Sequence, residues 1–147
     1  MQTVGQLLQN KGQTAVTTIS QDAMVYRALQ VMSENRVGAL PVLDEAGRVI
    51  GIVSERDYAR KVILEGRSSK ETAIKDIMTP ELFVVGLKNT INECMGIMSE
   101  KRVRHLPVID NGKLVGIISI GDVLKAIINQ QGILIEHLHN YIMGTYV

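Results

Sequence analysis

Apolar residues at Val25, Ala28, Leu29 and Met32 follow the i, i+3, i+4, i+7 spacing of one face of an amphipathic helix, and the same spacing returns at Ile91, Cys94, Met95 and Met98. Asp22 and Thr90 are the expected N-caps, and Thr90 with Glu93 has capping-box spacing. A short apolar run follows each helix, GALPVL and RHLPVI; proline has no N–H for a ladder, which predicts an edge strand or a strand start. Turn residues come next, DEAG at 44–47 and DNG at 110–112, and Asn-Gly predicts a tight hairpin closed by RVIGIVS or KLVGIIS. Second helices are expected after Ser54 and Ser119. Their apolar faces read Ala59, Val62, Ile63 and Leu124, Ile127, Ile128, with Gly66 and Gly132 near the stops. Ahead of each copy stand a helical stub and an extended segment, TVGQLL before AVTTI and TAIKDIM before LFVV.

The pattern is one unit written twice. With residues 23–44 laid over 89–110, nine of the 22 positions are identical, including Arg36/Arg102, Leu40/Leu106, Pro41/Pro107 and Asp44/Asp110. The second turn is one residue shorter, after which GIVSERD (51–57) lies over GIISIGD (116–122). Self-similarity of this kind marks a duplicated supersecondary unit. The fold class is α/β (α+β): two pseudo-symmetric units of strand, helix, strand, strand, helix, packed sheet to sheet because one unit alone cannot cover its sheet. The expected division is 1–66, 67–131 and a helical tail at 132–147, with a linker at Gly66–Lys70 and Thr79-Pro80 opening the second copy.

Composition narrows the function classes. A net charge of +1 gives no electrostatic footprint for nucleic acid, and one Phe, four Tyr and no Trp supply no stacking platform. The single cysteine, Cys94, allows no intrachain disulfide and fits a reducing compartment. It occupies the apolar stripe where Ala28 stands in the first copy, so it reads as core. No secretory signal and no run of about 18 apolar residues is present, so the expected location is the cytoplasm, with no membrane partner. His137 and His139 are two apart and point different ways on a helix, so no metal site is expected.

The "LPVhD" strand (h, hydrophobic) and the closing "GhhSxxD", both present twice and in register, resemble the cystathionine-β-synthase (CBS) domain, and the tandem resembles a Bateman module. The resemblance covers residues 4 to 131. It implies two clefts between the units that take an adenosine-containing ligand: AMP or NAD(H) first, then ATP, with ADP and S-adenosylmethionine also known to the family. Asp57 and Asp122 are then the ribose anchors, since a carboxylate accepts from two hydroxyls. Ser54 and Ser119 face phosphate or sugar at helix starts. Backbone near Val16–Thr18 and Phe83–Val85, hence Thr18 and Val84, reads the adenine edge; Val37 and Val103 sandwich the base, and Thr79 stands at the start of the second unit.

A plainer account exists for the Ser-x-x-Asp pairs: Ser at an N-cap with a carboxylate at N3 is a capping box, whatever else it binds. The copies also differ. Arg104-His105 in the second copy replaces Gly38-Ala39 in the first; the arginine offers a fork for phosphate and the small residues leave room opposite, while a solvated basic rim is the alternative. Arg56, opposite Gly121, is a further cation or a helix-surface charge. Two unequal clefts follow, the one using Asp122 being the firmer expectation. In the tail, Ile135, Leu138 and Ile142 form an apolar stripe that covers the module's flank or packs on a second chain, with Tyr141 and Tyr146 suited to either.

Three functions compete. A regulatory binder, not an enzyme, passes ligand occupancy to a homodimer or an effector protein. A hydrolase lacks a phosphate loop, a nucleophile–base pair and a metal cluster. A structural dimerisation module leaves the clefts empty.

Overall fold

The structure is a computed structural model that describes residues 2–12, 16–80 and 82–143. Its elements are α1 (Val4–Lys11), β1 (Ile19–Ser20), α2 (Val25–Asn35), β2 (Ala39–Leu43), β3 (Val49–Ser54), α3 (Glu55–Tyr58), α4 (Ile91–Lys101), β4 (His105–Asp110), β5 (Lys113–Ser119) and α5 (Ile120–Ile142). The mixed α/β order is the expected one. Of the predicted segment AVTTI, Ala15 lies outside the described residues, as does Tyr146 of the tail, and β1 itself spans two residues. In the second unit the counterpart of β1 is a single parallel bridge from Val85 to Val108.

Each unit is built on its hairpin. In the first, β1 runs parallel to β2 and β2 antiparallel to β3; in the second, β4 pairs antiparallel with β5. Asn111 and Gly112 turn the β4–β5 hairpin with φ of 50° and 77°, the two positive values that a tight primed turn demands. Neither proline starts its strand, but Pro107 lies on an edge as expected, in β4 of the two-stranded sheet. Pro41 sits inside β2 opposite Ile52, just outside the β1 pairing, which reaches only Val42 and Leu43. No ladder donor is required there.

Other expectations are corrected. Met24, not Asp22, is the N-cap of α2, and Asp22 instead holds Lys75 at 3.1 Å. Thr90 does cap α4, accepting from the Glu93 N–H at 3.1 Å. Of the face predicted after Ser54, only Val62 is buried, while Ala59 and Ile63 are exposed. After Ser119, Ile127 packs on the core as expected, but the fully buried residues are Val123 and Ala126, and Leu124 and Ile128 point out. Gly66 does end its helix, with φ 68°, but Gly132 does not: α5 runs through it to Ile142. A mid-helix glycine costs about 1 kcal/mol against alanine without breaking the helix.

The helical stubs exchange partners. Val4 and Leu7 of α1 are buried with Val85, Ile91, Cys94, Leu106 and Ile118 of the second unit. Ile74 and Ile77, which precede the second unit, are buried with Ile19, Val25, Leu40 and Val53 of the first. Each stub therefore packs on the unit that it does not precede. Backbone bonds repeat the exchange: Val4 N–H donates to the Asn89 carbonyl and Ile74 N–H to the Ala23 carbonyl. It also explains the glycine that opens both GhhSxxD motifs. A Cβ at Gly51 would lie 2.8 Å from the Thr79 carbonyl oxygen and 2.9 Å from Met78 Sδ, and one at Gly116 would lie 2.8 Å from the Leu8 methyls.

Candidate functional site

Ser54 ends β3 and caps α3. Its Oγ accepts from the Asp57 N–H at 3.2 Å while Asp57 Oδ2 accepts from the Ser54 N–H at 2.9 Å and from the Ser54 hydroxyl at 3.1 Å. The capping account of the motif is thus realised, and it fixes the Asp57 rotamer. The other oxygen, Oδ1, faces Thr79 Oγ1 at 3.3 Å and Lys61 Nζ at 3.1 Å; that ammonium also donates to the Ile77 carbonyl at 2.9 Å. The helix continues over Ala59–Ile63 with the wider π-type winding, a feature frequent at functional sites.

Asp57 lines a cavity of about 500 Å³ that opens between the two units. From the first unit come Gly38, Ser54, Arg56 and Arg60; from the second come Phe83, Arg102, Val103, Arg104 and His105. One wall is apolar, made by Ile52, Leu82, Phe83 and Val103. The remaining lining is cationic: Arg56, Arg60, Lys61, Arg102 and Arg104 stand against Glu55 and Asp57, a surplus of three positive charges with His105 neutral. Among the described residues none of the four arginines is in an ion pair. The Arg104 guanidinium, and then Arg60, press Arg56 below its ordinary pKa, the mark of like charges drawn together. An anion entering here relieves that repulsion.

His105 is partly buried, and burial lowers its pKa; Asp122 opposes the shift, while Lys11 and Arg104 add to it. Its ring therefore feels both Asp122 and the cavity that it lines.

The second corner is built the same way and used differently. Ser119 N–H donates to Asp122 Oδ2 at 2.9 Å, and Asp122 N–H donates to Ser119 Oγ at 3.1 Å. Lys11, the last residue of α1, donates to the same Oδ2 at 2.9 Å and to the Ile117 carbonyl at 3.2 Å. Burial raises the Asp122 pKa, but the Ser119 N–H and Lys11 outweigh it and hold the carboxyl below its ordinary value. Asp57 thus lines a described cavity with Lys61 on its free oxygen, while at Asp122 the lysine comes from α1.

Among the other expected site residues, Gly38, Ser54, Arg56, Thr79, Val103, Arg104 and His105 join Asp57 in the first cavity. Gly38 leaves the room expected opposite Arg104, since a Cβ there would approach nothing closer than 3.8 Å, the Glu55 carboxylate. Ala39 is instead buried in β2, Val37 packs on the first unit's core, and Thr18 and Val84 line a second cavity of about 620 Å³ beside the hairpin turns. Sequence reasoning missed Arg60, Lys61 and Arg102. A signal for Arg102 existed. Arg36 and Arg102 match across the copies and both cap a helix with φ 55°, a left-handed conformation that costs a non-glycine residue roughly 1–2 kcal/mol. Cys94 is fully buried and burial pushes its thiol up to about 11, so it is core and unreactive. Among the described residues no group of three or more His, Cys, Asp or Glu is placed to hold a metal ion, and no helix is long and apolar enough to cross a membrane.

Two duplicated units with exchanged stubs and a Ser-x-x-Asp corner in each define a tandem CBS-domain protein, and the chain belongs to that family. The CBS domain family model matches residues 12–64 and 74–129. The chain is 38% identical to the mitochondrial CBS domain-containing protein CBSX3 of Arabidopsis thaliana, over 98% of this chain and 73% of that one. A solved structure of a CBS-domain protein from Burkholderia ambifaria superposes with a TM-score of 0.83 at 45% identity, covering 88% of this chain and 96% of that one. Hypoxic Response Protein I, solved with two coordinated zinc ions, superposes at 0.71 with 26% identity over 84% and 98% of the two chains. The Burkholderia protein is described as a signal-transduction protein with CBS domains.

Proposed function

We propose that the protein is a regulatory sensor, not an enzyme, that binds one adenosine-containing nucleotide in the Asp57 cavity. It passes occupancy to a second copy or an effector protein. The observation that carries this reading is the cavity itself. A fixed carboxylate beside a hydroxyl, an apolar wall and four arginines face one space of about 500 Å³, within the range of small-ligand sites. In this reading ribose hydroxyls donate to Asp57 Oδ1, which now accepts from Thr79 and Lys61. The base lies against Phe83 and Val103, and phosphate meets Arg56, Arg60 and Arg104. AMP, NAD(H) and ATP all fit that chemistry; the sulfonium of S-adenosylmethionine is repelled by it. The proposed location remains the cytoplasm, to be checked by fractionation given a mitochondrial relative.

The test is a thermal-shift series with AMP, ADP, ATP, NAD+, NADH and S-adenosylmethionine, because a ligand bound only by the folded state raises the midpoint. A rise with at least one phosphorylated ligand, abolished by Asp57→Ala, is expected. No rise with any of them at millimolar concentration favours the structural dimerisation module.

A further inference from the structure

Helix α5 is about 35 Å long, and only its first turns lie on the module. Val123 and Ala126 face the core of the second unit. On the other side Leu124, Ile128, Ile135, Leu138 and Ile142 are 45%, 64%, 66%, 53% and 78% exposed. Every residue from 131 to 139 is exposed. A helix left uncovered in this way is marginal in water, because most helical stability comes from packing of its apolar face.

Ile133 and Leu134 are exposed as well, at 55% and 58%, but the five residues above carry a spacing that points to what covers them. Leu124, Ile128, Gln131, Ile135, Leu138 and Ile142 step by four, three, four, three and four, which is the 3.5-residue period of a coiled-coil seam rather than the 3.6 of a helix resting on a globule. In heptad terms Ile128, Ile135 and Ile142 fall at a, and Leu124, Gln131 and Leu138 at d. Branched residues at a with leucine at d favour two parallel strands. Gln131 sets the direction. In a parallel, in-register pair it meets Gln131 of the second copy, and the two amides satisfy each other. In an antiparallel pair the midpoint of the seam puts it against Ile135, an unpaired amide among apolar side chains. The five apolar seam residues offer on the order of 600 Å² per copy, the lower end of what each partner gives to a specific interface.

We propose that α5 pairs with α5 of a second copy as a parallel, in-register two-stranded coil, beginning on the module at Leu124 and running along the projecting turns to Ile142. The two modules are then tied side by side about a twofold axis parallel to the coil. The pairing stands on the seam alone and does not depend on nucleotide binding.

Light scattering of the full chain without nucleotide should give the two-chain mass, and Ile135→Asp with Leu138→Asp should halve it. Both positions are exposed, so the circular dichroism of the module and its response to nucleotide should survive the change. Gln131→Cys tests register independently: under mild oxidation it should cross-link to its own copy, with buried Cys94 taking no part. A wild-type chain that is monomeric at tens of micromolar overturns the proposal, as does a dimer that persists in the Asp double variant. Should the double variant unfold, the cross-link decides. If Gln131→Cys stays reduced while a mixture with Ile135→Cys cross-links, the pair is antiparallel and the proposal is wrong in its direction.

Discussion

The Asp57 and Asp122 corners share one motif, carry the same capping box and both hold a lysine, yet the lysines come from different places. At Asp57 the partner is Lys61, one turn on along the same helix and beside the cavity. At Asp122 it is Lys11, delivered by α1 after the stubs have exchanged units. The offset of 65 places Ala126 opposite Lys61, so that lysine has no counterpart in the second copy. A duplicated backbone kept its carboxylates while the cations around them were redistributed. The arginines followed the first corner: Arg56 faces Arg104 across the cavity at Asp57, where the second unit has Gly121. The lesson is that a repeated motif fixes where an anchor stands, and its unrepeated neighbours fix whether it is available.

The sharpest way to break this comparison is to remove each carboxylate in turn. Both substitutions cost the same cap, so each serves as the other's control. Asp57→Ala should weaken nucleotide binding by about tenfold to a hundredfold, the worth of one or two hydrogen bonds to a charged group, and Asp122→Ala should leave it within about twofold. Calorimetric titration reads both, and a loss confined to Asp122→Ala would reverse the assignment of the site. Next in size is the paired glycine. Gly51→Ala should destabilise by about 1–3 kcal/mol, because the obstacle includes the Thr79 backbone carbonyl. Gly116→Ala should cost less, since Leu8 is a flexible side chain that can turn aside; urea unfolding of the two variants ranks them, and the opposite order would show that α1 is the more rigidly held stub.

His105 links the corners and gives a smaller, pH-dependent effect. Its folded pKa is depressed by burial, so the unfolded chain takes up the proton first as pH falls through about 6.5 and stability is lost there. A bound phosphate pulls the other way by favouring the imidazolium. Nucleotide affinity should therefore rise a few-fold between about pH 7.5 and 6 with proton uptake, and His105→Gln should flatten that slope; an unchanged slope would remove His105 from the ligand's surroundings. The smallest effect concerns Lys11. Asp122 has a depressed folded pKa, so its contribution is present above about pH 4 and is lost as pH falls through the folded value. Lys11→Met should reduce stability at neutral pH by about 1 kcal/mol or less and move the acid loss to higher pH, as acid unfolding followed by circular dichroism would record. Identical acid curves would mean that the lysine adds nothing to the second corner.

Much of this was legible from residues alone. The helical period at Val25–Met32 and Ile91–Met98, the Asn111-Gly112 turn and the two Ser-x-x-Asp corners follow from local spacing, because periodicity and turn chemistry act over a few residues. Identity between copies also marked the two arginines that cap their helices in a left-handed conformation, although it did not say why they match. Contacts made across the chain were not legible. Nothing in TVGQLL says that Val4 and Leu7 bury against Ile91 and Leu106, far along the chain, and so nothing in Lys11 announced a partner in Asp122. The buried face of α5 was legible only at Ile127, for the same reason: Leu124 and Ile128 are as apolar as Val123 and Ala126, and hydrophobicity does not say which side meets the sheet. Sequence by itself determined the doubled unit, its elements and the positions of two candidate anchors. Tertiary structure alone decided which carboxylate shares a cavity with four arginines and that Lys11 reaches the other, because both rest on packing between segments that no local pattern connects.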